Sequence, residues 1–117
     1  MIKDFFKGAQ TALEIRNINN RNDEIKEAYR LAAQEQFQDA LDILENVKLS
    51  SKETSVVNMM GYLIKAICYA EFDYKQSARN SINVLLNMDR WSLNPFYHYV
   101  LSDVKNEARK IIVEYKL

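Results

Sequence analysis

The chain reads as all-α, with about six antiparallel helices in a short α-α superhelix or a helical bundle. Three observations carry that reading. Only two Gly and one Pro occur in 117 residues, too few turn-forming residues for an all-β fold. Apolar residues recur at three- and four-residue spacing along most of the length. Hydrophobic residues make up 48% and charged residues 27%, the composition of a folded domain and not of a disordered segment.

A chain of this length forms one domain. The elements divide it into an N-terminal capping helix over about 1–18, two helix pairs over about 22–88 and a C-terminal helix over about 95–116. Formal net charge is zero, from 16 basic and 16 acidic residues. A dedicated nucleic-acid binder carries a basic surplus, so the balance argues against that class. It also weakens repulsion between copies and leaves homo-oligomerisation open. The single cysteine, Cys68, excludes an internal disulfide and fits a reducing cytoplasm. The start, MIKDFFKGAQ, has no long apolar run of the kind that directs secretion. The most apolar window, Val56–Ala70, contains Lys65 and is too short to span a bilayer. The expectation is a cytoplasmic protein without a membrane partner.

The first helix covers roughly 2–18, where Ile2, Phe5, Phe6, Ala9 and Leu13 form one apolar stripe. The asparagine-rich segment Asn17 to Asp23 breaks it, because asparagine competes for backbone hydrogen bonds. Asn22 is placed to cap the next helix, with Asp23 and Glu24 in its first turn. That second helix runs about 23–35 and the third about 38–48, with Ala40, Leu41, Leu44 and Val47 inward. Ser51 is placed to cap a fourth helix over about 52–71, which is apolar all round and therefore buried or sandwiched. A fifth helix over about 74–88 carries Ala78, Ile82 and Leu85. Asn94-Pro95 opens a sixth over about 95–115, striped by Val100, Leu101, Val104, Ala108, Ile111 and Ile112.

The stretch Ala28 to Leu44 carries the most information. Small residues end one helix, Phe37 sits at the turn, and Ala40, Leu41 and Leu44 follow in the next. With Leu31 and Val47, these positions resemble the middle of a tetratricopeptide repeat. The resemblance covers residues 22–88 at most, convincing in the first helix pair and degenerate in the second. The early tryptophan and closing proline of the family are missing. Aligning the turn aromatics Phe37 and Tyr74 puts the pairs thirty-seven positions apart, near the 34-residue period of such arrays. In that alignment the small residue Ala78 falls one position late. A generic antiparallel bundle also places small residues at a close helix crossing.

The resemblance implies a right-handed stack that binds a protein or peptide along a groove lined by the first helix of each pair. The implied partner-binding residues are Asn22, Ile25 and Tyr29, with Ala33, in the first pair. In the second they are Met59, Tyr62 and Tyr69, with Ala66. Tyrosine suits an interface because it joins apolar area to a polar tip, and methionine adapts to varied shapes. The same side chains would equally serve as core. Ile2, Phe5 and Phe6 either cap the stack or meet a second copy. Trp91, Phe96, Tyr97, His98 and Tyr99 anchor the last helix, or stack a ligand ring. Lys105, Arg109, Lys110 and Lys116 gather on that helix, interleaved with Glu107 and Glu114, where its dipole favours cations.

No catalytic, metal or cofactor site is expected. His98 stands alone, with no neighbouring cysteine and no Glu-x-x-His motif. Gly8 and Gly61 cannot build a phosphate loop. The expected role is a non-catalytic adaptor or chaperone-like interaction module. The alternatives are a homodimeric helical scaffold and a nucleic-acid-associated regulator.

Overall fold

The structure is a computed structural model that describes residues 20–49, 56–88 and 98–117. These residues form five α-helices and no strand: α1 (Asn20–Ala33), α2 (Phe37–Asn46), α3 (Val56–Glu71), α4 (Lys75–Leu86) and α5 (His98–Tyr115). The all-helical class is therefore that of the described chain. The helix expected over 2–18, the Ser51 cap, the Asn94-Pro95 start and Trp91, Phe96 and Tyr97 lie outside the described residues.

Boundaries differ from the expected ones at several ends. α1 begins at Asn20, so Asn22 lies inside its first turn and does not cap it. α2 stops at Asn46 because Val47 turns extended, with φ −90 and ψ 125. α4 stops at Leu86, and Asn87 closes it by donating to Asn83 and Leu85 carbonyls.

Helices α1 and α2 pair across a three-residue turn, as do α3 and α4. Links this short leave antiparallel packing as the arrangement open to each pair. Both turns use one backbone device. In the first, Glu35 takes a left-handed φ of 62. Its N–H donates to Ala32 at 3.0 Å, and the Gln36 N–H reaches Leu31 at 2.8 Å. In the second, Asp73 takes a φ of 61, its N–H donates to Ala70 at 3.0 Å, and the Tyr74 N–H reaches Tyr69 at 2.8 Å. These paired bonds satisfy carbonyls that a helix C-terminus would otherwise leave open. The next helix starts alike in each case, Ala40 N–H donating to Gln36 and Ala78 N–H to Tyr74.

The two hairpins thus repeat at a spacing of thirty-eight residues, fixed by Glu35 and Asp73. Backbone register aligns Tyr74 with Gln36, not with Phe37. The misplaced alanine of the second pair then falls into line. Ala28 and Ala66, Ala40 and Ala78, Leu44 and Ile82, Val47 and Leu85, and Ile25 and Leu63 are matched and all buried.

α3 is the centre of the molecule. It packs on α1 and α2 on one side and on α4 and α5 on the other. That explains its apolar circumference: Met59, Met60, Leu63, Ile64, Ala66, Ile67, Cys68 and Ala70 are all buried. Gly61 lies against the chain that leaves α2. A Cβ there would come within 2.6 Å of Leu49 Cδ2, so the Leu49 side chain fills the space that a side chain at this position would take. α5 is tied down at both ends of its contact with the second hairpin. Lys105 Nζ donates to the Met88 carbonyl at 2.8 Å, and the Tyr115 hydroxyl donates to Glu71.

Candidate functional site

The partner-binding positions read from the sequence separate into three groups. Ile25 and Met59 are fully buried, as is Ala66; they are core residues and not walls of a groove. Tyr29, Tyr62 and Tyr69 are half-buried and pack against that core. Asn22 lies on the first turn of α1.

The three tyrosines do not form one row. The equivalents of Asn22, Ile25, Tyr29 and Ala33 in the second hairpin are Met60, Leu63, Ile67 and Glu71, because the true spacing is thirty-eight residues. Met59, Tyr62 and Ala66 are one position out, and Tyr69 is two. One residue along an α-helix is a rotation of about 100°, enough to select a different face. Tyr29 therefore corresponds to Ile67, which is 2% exposed.

Tyr62 and Tyr69 do share a strip. Along α3, Tyr62, Lys65 and Tyr69 are its partly exposed side chains, spaced three and four residues apart on one face. Lys65 Nζ lies 5.7 Å from the centroid of the Tyr62 ring, within cation–π range. The Tyr69 hydroxyl is pushed up in pKa by burial, then by the carboxylate of Glu45 on α2 and by Cys68. Tyr69 thus lies on the side of α3 that faces Glu45 of α2.

The strip continues past the end of α3 onto the turn. Phe72 is 36% and Tyr74 58% exposed. The Phe72 ring meets Phe37 of the first hairpin edge to face, with centroids 6.2 Å apart. Tyr74 tilts against Phe72 at 5.7 Å. The turn ends of both hairpins therefore meet through three rings, and two of those rings face water. Phe37 and Tyr74 are legible in the sequence as turn aromatics. Phe72 joins them only because the two turns are brought side by side.

The cations of α5 are largely engaged within the helix or with its neighbour. Lys105 holds the Met88 carbonyl, Arg109 donates to Asn106, and Lys110 pairs with Glu107. His98 Nε2 is buried without a hydrogen-bond partner. Among the described residues no group of three His, Cys, Asp or Glu side chains could hold a metal ion. No helix among them is long and apolar enough to cross a membrane. Comparison with protein-family models, with curated proteins and with solved structures gave no match to the chain.

Proposed function

We propose that this chain is a non-catalytic interaction module, a short tetratricopeptide-like stack of helical hairpins that binds a protein or peptide. The observation that carries this reading is the strip Tyr62–Tyr69–Phe72 with Phe37 and Tyr74 at its end, an aromatic surface left partly in water. Contiguous exposed aromatics on a soluble domain mark interaction sites, and aromatic side chains are the usual anchors of protein interfaces. The common backbone register of the two hairpins supports a repeat origin. So does the nesting of α3 against both helices of the first hairpin and of α5 against both helices of the second. In this reading the binding surface is the seam of the hairpins, and not a groove along α1.

The test is a paired substitution, Phe72→Ser with Tyr74→Ser, in the affinity-tagged chain. Neither side chain belongs to the buried core, so the helical content should hold, with the melting temperature lowered only by loss of the Phe72–Phe37 contact. The partner recovered by cross-linking to the unaltered chain should be lost. Recovery of the same partner at the same yield would reject the surface.

A homodimeric scaffold is the second reading. Tyr99 and Val113 on α5 are each 79% exposed and stand roughly four turns apart on one side of the helix. Sedimentation of the unaltered chain decides whether that face pairs copies.

A further inference from the structure

We propose that the turn end of the two hairpins docks a cationic peptide segment, an arginine- or lysine-bearing stretch of a partner protein. This rests on the reading of the chain as an interaction module and names the chemistry of what it binds.

Phe37, Phe72 and Tyr74 provide the apolar floor. Carboxylates surround it in the chain. Glu35 and Asp73 occupy the two left-handed turn positions, Glu71 precedes Phe72, and Asp39 lies in the first turn of α2. All four are exposed. Over both turns and the helix starts that follow, residues 34–39 and 71–76, Lys75 is the only cation. The whole of α2 carries Asp39, Asp42 and Glu45 and no cation at all. Glu71 accepts from Tyr115. Glu35, Asp39 and Asp73 enter no ion pair among the described residues.

Exposed aromatic faces flanked by exposed carboxylates, three of them without an ion pair among the described residues, are complementary to a guanidinium. Its plane stacks on a ring, and its edge forks to a carboxylate. An ammonium gains the same attraction without the fork. An acidic peptide or a nucleic-acid backbone is repelled by the same rim. Glu35 and Asp73 stand at positive φ, where glycine is the usual residue.

The test uses the full chain and a fluorescein-labelled peptide of alternating arginine and alanine, read by anisotropy. A serine-for-arginine and a glutamate-for-arginine peptide serve as comparisons. Saturable binding of the arginine peptide alone is expected, falling as salt rises. Removing the rim charges with Glu35→Gln, Asp39→Asn and Asp73→Asn should weaken it about tenfold or more, and so should Phe72→Leu with Tyr74→Leu. The control change Asp103→Asn with Glu114→Gln, which removes two charges on α5, should leave it within about twofold. All these positions are exposed, and circular dichroism checks each fold.

Absence of saturable arginine-peptide binding would overturn the proposal, as would equal weakening by the α5 change, which marks diffuse charge attraction. Equal binding of the serine peptide would overturn the cationic preference. A wild-type dimer that the Phe72 and Tyr74 changes convert to a monomer would make a second copy the occupant. If those changes abolish capture of the cellular partner while the arginine peptide never binds, the interaction surface stands and only its cationic preference falls.

Discussion

At the scale of single residues, Cys68 shows how burial sets chemistry. Enclosure in the apolar centre of α3 pushes its thiol up to about 12, and the Glu71 carboxylate adds to the rise. Burial and hydrogen bonding to Glu71 raise Tyr115 as well. The sign follows from linkage. The folded state holds these protons while the unfolded chain releases them, beginning near the ordinary thiol value of 9.0. The associated stability is complete below that pH and drains away as pH rises towards about 12. Melting temperature should therefore fall with pH on the alkaline side. Cys68→Ala should make the fall shallower, even though it lowers stability at neutral pH by opening a small cavity. In the native protein Cys68 should resist a thiol reagent at neutral pH and react only on unfolding. Rapid labelling of the folded chain would contradict this placement. The same scale explains why the tyrosines were not legible as a set. A tyrosine at helical spacing looks the same whether a neighbouring helix covers it or leaves it open. Only the packing of α3 between two helix pairs distinguishes Ile67 from Tyr69.

At the scale of elements, the hairpin turns depart from the commonest solution. Their closing residues are Glu35 and Asp73 at φ 62 and 61, where glycine is the usual choice. Glu35→Gly should relieve the left-handed strain and stabilise the fold by about 1 kcal/mol, since left-handed backbone costs an ordinary residue roughly 1–2 kcal/mol. A denaturant titration measures it, and an unchanged or lowered midpoint would count against the strain. If the acidic rim binds a cation, the same variant should bind more weakly while being more stable, the usual opposition of stability and function. The helices themselves were legible, because apolar residues at three- and four-residue spacing marked each described one. The offset between hairpins was not. Phe37 and Tyr74 invited alignment, but one follows the N-cap of its helix and the other is the N-cap. Backbone dihedrals fix register, and a left-handed Glu or Asp leaves no mark in the sequence of the kind that glycine would.

At the scale of the whole molecule, α3 holds every other described helix. Ile64, fully buried on it, should cost about 2–5 kcal/mol when cut to alanine. Val113, exposed on α5, should cost under about 0.5 kcal/mol by the same change. Urea melts followed by far- and near-ultraviolet circular dichroism should coincide for both variants; separate transitions would mean that the hairpins unfold independently. The central position of α3 has a further consequence, for time and not for energy. Its principal neighbours are the helices one and two steps away along the chain. Among the described residues these helix contacts join elements close in chain order, and helical domains rich in local contacts fold in about microseconds to milliseconds. Among the described residues, it is α3 that packs on both helices of the first hairpin. During synthesis that packing waits until α3 clears the ribosome, at the pace of translation, about 5–20 residues per second, rather than at the speed of helix packing.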